Sequence, residues 1–233
     1  ILTKPKYDNY RSHSTGFFFL YFNRTTMKNN IITNLYYSDL KDGFEQLTIV
    51  DATTNIQQVV PENFIKGKTY GITQTLIYKP ADWLNTNFVA DVYYCSTKSQ
   101  IPVTLQFLKG WNGEFNLSND ITLNKKKTIL FNVAYRLITK GVDNLDYNSF
   151  SNQLDASLKL LAFNKKLIVN LYANDILSSS RTTYTTYSNG IKNTFRNYYD
   201  ERYFRLSLSY SFGKTFKKES YQNKNNEELE RTE

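Results

Sequence analysis

The residue types that most often carry chemistry are scarce in this chain. Its 233 residues include one histidine, His13, and one cysteine, Cys95, which excludes an intrachain disulfide. A Ser-His or Asp-His arrangement needs positioned partners, and a zinc or haem site needs several ligands. No partner motif accompanies His13, which lies in the polar stretch before the first predicted strand. We therefore expect a solvated histidine, no catalytic residue, no metal, no cofactor and no enzymatic activity.

Two groups of aspartates could hold calcium weakly with backbone carbonyls. One group is Asp143 and Asp146, and the other is Asp39, Asp42 and Asp51. Neither spacing matches a known calcium loop, so we interpret these residues as solvated turn aspartates.

The elements that must position these groups are strands. In the last of them, from Tyr203 to Gly213, Phe204, Leu206 and Leu208 alternate with Arg205 and a run of serines. Side chains of a strand alternate between its two faces, so one face is apolar and the other polar. This pattern is typical of a wall between lipid and a wet lumen, although a soluble sandwich strand can also show it. The longest apolar run, Phe17 to Phe22, is too short for a transmembrane helix.

About nine alternating segments predict an all-β, antiparallel, up-and-down transmembrane barrel segment. They are Gly16 to Asn23, Asn30 to about Asp39, about Tyr70 to Tyr78, about Leu84 to Cys95, Trp111 to Leu123, Ile129 to Leu137, Leu154 to Phe163, Leu167 to Asn174, and Phe204 to Phe212.

Short and long connections alternate between these segments. Short turns are predicted near Lys28, Pro80, Lys126 and Lys165, with Lys79 to Trp83 as one compact turn. Long connections are predicted near Asp51, Ser99, Asn144 and Ser188. Outer-membrane barrels show this asymmetry, with short periplasmic turns and longer extracellular loops. Within the connection from Leu40 to about Phe64, residues 46–50 and 56–60 could instead extend the second and third strands.

Aromatic and basic residues indicate where the membrane surfaces would lie. Two belts at either side of a roughly 25 Å apolar band are predicted. One contains Tyr78, Trp83, Phe163, Tyr210 and Phe212, and the other contains Tyr36, Tyr37, Tyr93, Tyr94, Trp111 and Tyr135. The net charge of +8 comes largely from turn lysines, which we place near lipid headgroups. We do not expect nucleic-acid binding, because the aromatics share a face with aliphatic residues.

Charged residues on the polar faces are candidates to line the lumen. They are Asp91, Glu114, Arg136, Asp155, Lys159 and Arg205. Pairing of such charges within the barrel or with a plug is the commoner role, so they are not assigned as a binding site. The long loops near Asp51 and Ser188 are the better candidates for contact with a ligand.

The C-terminal segments, Asn174-Asp175-Ile176 and then residues 197–213, resemble the end of TonB-dependent-receptor-like outer-membrane barrels. The closest variant is an outer-membrane β-barrel family whose last strand continues into a short charged tail. The resemblance implies location in the cell outer membrane and a plugged barrel of roughly 22 strands. It also implies a signal peptide, a carboxypeptidase-regulatory-like domain and a plug before the barrel. Its implied partners are outer-membrane lipid, an inner-membrane energy-coupling complex and an unknown small ligand.

On this interpretation, residues 1–213 are the C-terminal portion of a larger barrel, and residues 214–233 are a disordered periplasmic tail. Two alternatives stay open. One is a soluble or surface-anchored β-sandwich adhesin, with the Phe204 to Phe212 face buried in its core. The other is a small self-contained structural barrel, which requires a tenth strand, with Ile49 to Val60 as its candidate location.

Overall fold

The computed structural model describes residues 13–26, 28–50, 54, 56–102, 104, 106–188, 191–196 and 201–212. These residues form thirteen strands and no helix, in agreement with the predicted all-β class. No helix long and apolar enough to span a bilayer occurs in this part of the chain. The strands are β1 (His13–Thr25), β2 (Asn29–Val50), β3 (Gln57–Ala81), β4 (Leu84–Ser99), β5 (Phe107–Thr122), β6 (Ile129–Ile138), β7 (Gly141–Asp143), β8 (Asp146–Asn148), β9 (Ser151–Ala162), β10 (Leu167–Asn174), β11 (Thr183–Ser188), β12 (Ile191–Arg196) and β13 (Tyr203–Tyr210).

Nine long strands form one antiparallel sheet in the order β1-β2-β3-β4-β5-β6-β9-β10-β13. Each strand pairs with its neighbours in this series, which is the predicted up-and-down connectivity with the predicted strand number. β1 and β13 each pair on one side within the described residues, so the sheet is open at both edges.

The register separates the sheet into two faces. The polar face carries Asp91 and Glu114, which are directly paired across β4 and β5. The apolar face carries Phe88 and Leu117, which form another pair of the same ladder. Many large apolar side chains on the apolar face are exposed. They include Phe22, Leu35, Tyr70, Ile72, Tyr78, Trp111, Leu117, Leu171, Phe204, Leu206 and Leu208.

β2 and β3 are much longer than the corresponding predicted strands, Asn30 to about Asp39 and about Tyr70 to Tyr78. Residues 40–64 were expected to be a long polar connection, but they continue the β2–β3 ladder as far as the pair Val50 and Gln57. The alternative in which residues 46–50 and 56–60 extend these strands is therefore confirmed, except that β3 begins at Gln57. The polar composition of this region does not prevent pairing, because backbone groups make the ladder. The proposed tenth strand within Ile49 to Val60 is wrong, since those residues belong to the ends of β2 and β3.

The short turns lie close to where the sequence places them. The turn predicted from Lys79 to Trp83 is shorter in the structure, where it consists of Asp82 and Trp83. Pro80 lies within β3. The register shifts between Tyr78 and Ala81, so the ladder is interrupted where proline has no N–H to donate. The first strand starts earlier than expected, so that His13 begins β1 rather than preceding it. The last strand ends at Tyr210, two residues before Phe212.

The two later long connections contain a second sheet, which we call the cap sheet. Its order is β12-β11-β8-β7, all antiparallel. The regions near Asn144 and Ser188 were predicted to be long connections, because these strands are short and rich in Thr, Tyr and Asn. β7–β8 and β11–β12 are local hairpins, but the β8–β11 ladder that joins them into one sheet pairs segments far apart in sequence.

The core lies where the cap sheet meets the long ends of β2 to β5. Its buried apolar residues, within the described part of the chain, are Leu47, Phe64, Ile65, Cys95, Leu108, Val142 and Leu145. Val142 and Leu145 come from the cap sheet hairpin and the others from the main sheet. Leu40, Tyr93 and Ile101 pack against this cluster.

Candidate functional site

The candidate site is the polar face of the main sheet, together with the cap sheet that covers its long-loop end. The register brings all six predicted charged residues to this face. Glu114 pairs with Asp91 and, on its other side, with Ile138. Arg136 lies two residues from Ile138 on β6 and therefore on the same face. Asp155 pairs with Ala134, which is two residues further along β6. Lys159 and Arg205 follow on β9 and β13, opposite Asn170 and Tyr172 of β10. Their position on one face is as the alternation predicts, and their role in a lumen stays a prediction.

Asp91 is held by hydroxyl groups from two neighbouring strands. The Tyr36 hydroxyl donates to it from β2 at 3.2 Å, and the Thr73 hydroxyl donates from β3 at 2.8 Å. Tyr36 reaches across β3 because residue 71 is glycine. A Cβ atom there would lie 2.6 Å from the Tyr36 hydroxyl oxygen and 2.6 Å from Tyr93 Cβ. The absence of a side chain at Gly71 thus creates the path by which Tyr36 binds the carboxylate.

Glu114 and Arg136 form the one ion pair between two described residues. The guanidinium of Arg136 lies 2.9 Å from the Glu114 carboxylate, and Asn116 also donates to it at 3.2 Å. The two charged side chains are 51% and 39% exposed, so solvent screens their attraction. The arrangement is a neutralised pair on a wet surface.

Further along the polar face, an amide network joins β9 and β10. Gln153 donates to Asp155 at 3.0 Å and to Asn174 at 3.1 Å, and the Tyr172 hydroxyl donates to Asn174 at 3.2 Å. Arg205 stacks over the ring of Tyr203, with its guanidinium carbon 5.0 Å from the ring centroid. This half of the face is therefore richer in amide and aromatic groups than in paired charges.

The cap sheet is attached to the polar face through Asn112 of β5. The Asn112 carbonyl oxygen accepts a hydrogen bond from Val142 N–H at 2.9 Å, and its amide donates to Cys95 Sγ at 3.4 Å. The Cys95 thiol in turn donates to the Val142 carbonyl at 3.3 Å. Cys95 is buried, so its role here is packing and hydrogen bonding rather than exposed thiol chemistry.

The second connection of the cap sheet is fixed by Asp175, directly after β10. Its carboxylate accepts from Ser179 N–H at 3.0 Å and from the Ser180 hydroxyl at 2.8 Å. Its own N–H donates to Asp155 at 2.8 Å. Burial alone would raise the pKa of Asp175, but these donors hold it below its ordinary value. Residues 174–176 thus form a structural junction between β10 and the cap sheet.

Four of the five aspartates considered for calcium are described, and these four lie in strands rather than turns. Asp143 and Asp146 belong to β7 and β8, while Asp39 and Asp42 belong to β2, and Asp51 lies outside the described residues. Burial raises the pKa of Asp146, and the nearby carboxylates of Glu45 and Asp143 raise it further. Within the described residues, no group of three or more His, Cys, Asp or Glu is placed to hold a metal ion.

The aromatic residues near the long-loop end divide between the two faces. Tyr70, Tyr94 and Trp111 form a cluster on the apolar face, with ring centroids 5.2 to 6.3 Å apart. Tyr36 and Tyr93 were also assigned to this belt, but they lie on the polar face, and that assignment is wrong. The alternation of side chains along a strand, rather than the distance from a loop, determines the face on which each tyrosine lies.

Asn112, Gly71 and Tyr36 are the residues that sequence reasoning missed as parts of this site. An isolated glycine inside a strand often marks close approach of another group, so Gly71 gave a usable signal. Asn112 gave none, because its partner Val142 lies on a strand that was not predicted.

Comparison with known proteins agrees with this geometry. The profile of the outer membrane protein beta-barrel family matches residues 17–210, which span all nine strands of the main sheet. No curated protein and no solved structure matched the chain. An antiparallel meander with an exposed apolar face and a hydrogen-bonded polar face is the architecture that such a family requires. The chain therefore belongs to the outer membrane protein beta-barrel family and is located in the outer membrane.

Proposed function

We propose that the chain supplies the C-terminal part of the barrel of a TonB-dependent-type receptor or transporter. In this proposal the long loops capture a small ligand at the cell surface, and the ligand then passes through the lumen. The protein acts by binding and conformational change rather than by bond chemistry. The observation that carries the proposal is an open nine-stranded sheet whose polar face is covered at the long-loop end by the cap sheet.

The open edges support a larger barrel. An unpaired strand edge is costly in hydrocarbon, because each unsatisfied backbone group costs several kcal/mol. Nine successive antiparallel strands leave β1 and β13 pointing in the same direction, so a direct ladder between them would be parallel. Antiparallel closure needs an odd number of further strands, which gives the even total of bacterial barrels. A barrel of roughly 22 strands meets this condition.

The exposed apolar face argues against the β-sandwich alternative. That alternative required the Phe204 to Phe212 face to be buried in a core, but Phe204 is 73% exposed. The cap sheet cannot cover this face, because it packs against Cys95 and Gly110 on the opposite one.

In the proposed barrel the polar face lines the lumen. Asp91, Glu114, Arg136 and Asp155 already have partners on this face, which suits a stable wall. Lys159 and Arg205 lie toward the β13 edge, where a plug or the ligand would meet them. The plug, the further strands and the inner-membrane energy-coupling complex are taken from the resemblance of residues 174–213.

The first test is the size of the native protein in outer membranes. An antibody against a peptide from residues 214–233 is used to blot heated and unheated membrane samples. We expect a heat-modifiable band far above 27.3 kDa, the mass of this chain. A heat-modifiable band near 27.3 kDa would instead favour a self-contained barrel and overturn the larger one.

The second test addresses uptake. Cells that lack the protein are compared with wild-type cells for depletion of individual solutes from a defined medium, with and without a protonophore. We expect at least one solute whose uptake needs both the protein and the proton-motive force. Protein-dependent uptake that persists without the proton-motive force would indicate a passive pore and contradict the TonB-dependent mechanism.

A further inference from the structure

The short-turn end of the main sheet contains a cavity of about 580 Å³. It lies between the turn that joins β3 to β4 and the turn that joins β5 to β6. Its apolar wall is made by Trp83, Ile121 and Leu123, and its rim carries Lys125 and Lys127. Trp83 and Leu123 are 54% and 56% exposed, so the wall is open on the apolar side of the sheet. The site is amphipathic, because apolar side chains and two lysines line it together.

Charge at this end of the sheet is strongly biased. The described residues of the short turns and those beside them include seven lysines and a single acid, Asp82. The lysines are Lys28, Lys79, Lys125, Lys126, Lys127, Lys165 and Lys166. At the opposite end acids and bases are mixed, as the sequence Asp39 to Glu45 illustrates. The bias attracts anions specifically to the short-turn end.

The turn that carries the lysines of the cavity has a fixed conformation. The Asn124 side chain accepts from the N–H groups of Thr128 and Ile129, at 2.8 and 3.1 Å, and donates to the Thr128 hydroxyl at 2.7 Å. Lys127 N–H closes the turn on the Asn124 carbonyl at 3.0 Å. The backbone positions of Lys125 and Lys127 are therefore set before any ligand arrives, which lowers the entropy cost of binding.

We propose that this cavity binds the headgroup and upper acyl chains of an anionic glycerophospholipid. The apolar face of an outer-membrane protein contacts lipid, and exposed tryptophan marks the headgroup level. Lysine near an anionic membrane surface attracts its lipids, whereas a neutral zwitterionic headgroup gains little from it. Asp82 at the rim can accept a hydrogen bond from a headgroup hydroxyl, which favours a glycerol headgroup. The proposal stands whether or not the protein takes up a ligand, because it rests only on the outer-membrane location.

The test uses Trp83 as the reporter. The protein purified from outer membranes is reconstituted into phosphatidylcholine vesicles that contain a minor fraction of lipid with brominated acyl chains. The brominated lipid is either phosphatidylglycerol or phosphatidylcholine, and bromine quenches nearby tryptophan. The Trp83 signal is the emission lost in Trp83→Phe. The Trp111 signal is the emission lost in Trp111→Phe, and it reports on the other end of the apolar face. We expect brominated phosphatidylglycerol to be enriched about fivefold per lysine at Trp83 and not at Trp111.

Two double variants separate a site from general attraction. K125Q/K127Q removes both lysines of the cavity, while K126Q/K165Q removes the same charge from neighbouring positions outside it. Enrichment that is lost only in K125Q/K127Q supports the proposal, provided that each variant still shows heat-modifiable migration. Equal quenching by the two lipids, or equal loss in both double variants, would overturn it.

Discussion

Two regions of the same strands are stabilised in different ways. At the long-loop end, β2 to β5 and the cap sheet bury a cluster of apolar side chains, with Ile65 only 1% exposed. Between Tyr70 and Tyr78 on β3, and at the neighbouring positions of β4, most side chains on both faces are by contrast only partly buried. The first region is organised like a small soluble domain. The second region, which we call the wall, is a single layer of sheet.

The difference follows from the solvent on each side. A sheet with water on both sides must bury apolar surface against another layer to be stable. A sheet with lipid on one side needs no second layer there, because the acyl chains take that place. Side-chain substitutions should therefore have unequal effects in the two regions, and the following variants test this from the largest expected effect to the smallest.

Leu145→Ala should have the largest effect, because Leu145, in the β7–β8 hairpin of the cap sheet, is buried in the core. We expect a loss of about 2–5 kcal/mol, which combines lost transfer energy and a residual cavity. Hydrogen exchange should then show an open cap sheet above intact strands. Leu117→Ala, on the apolar face, should cost about 2 kcal/mol at most, since lipid fills the space that it leaves. Equal losses would remove the distinction between the two regions.

Ala90→Arg and Ala134→Arg test the two faces of the wall. Ala90 lies on the apolar face, paired with Phe115, and Ala134 lies on the polar face, paired with Asp155. A charge at the lipid face should cost about 2–4 kcal/mol, measured by urea unfolding in vesicles. The polar-face variant should stay close to wild type, because its guanidinium can reach water and Asp155. A larger loss for Ala134→Arg would reverse the assignment of the faces.

Gly71→Ala tests the close packing of Tyr36 and Tyr93 over β3. The new methyl group would meet both residues at 2.6 Å, and Tyr93 Cβ is fixed to its backbone. We expect a loss of about 1–3 kcal/mol from overpacking. Gly67→Ala is the matched control on the same strand and face, where the nearest atom lies at 3.6 Å. It should change unfolding by no more than about 0.5 kcal/mol.

The Glu114–Arg136 pair should show the smallest effect. A double-mutant cycle with E114Q and R136Q should give a coupling energy of about 1 kcal/mol or less, reduced further by salt. A coupling well above this value would mean that the polar face is drier than its exposure indicates. In that case the charged pair would belong with the buried cluster rather than with a wet wall.

The wall was more predictable from sequence than the capped region. Alternation along Leu84 to Cys95 and Leu167 to Asn174 found the strands and their faces, because a sheet between lipid and water imposes period two on every strand. The cap sheet has no such boundary, and its two short hairpins are joined only by the β8–β11 ladder, between segments distant in sequence. For the same reason Asn112 could not be identified, whereas Asp91 and Arg136 could be placed on the correct face.

The spacing of two tyrosines on β3 indicates the thickness of the membrane around the protein. Tyr70 and Tyr78 lie on the same face of this strand, eight residues apart. At about 3.4 Å per residue and a tilt near 40°, this spacing corresponds to a membrane-normal distance of about 20 Å. An average bilayer has a hydrocarbon core of about 30 Å, so the protein would have to thin it locally at an elastic cost. Bacterial outer membranes are thinner than average, and short acyl chains should likewise give the fastest insertion in vitro.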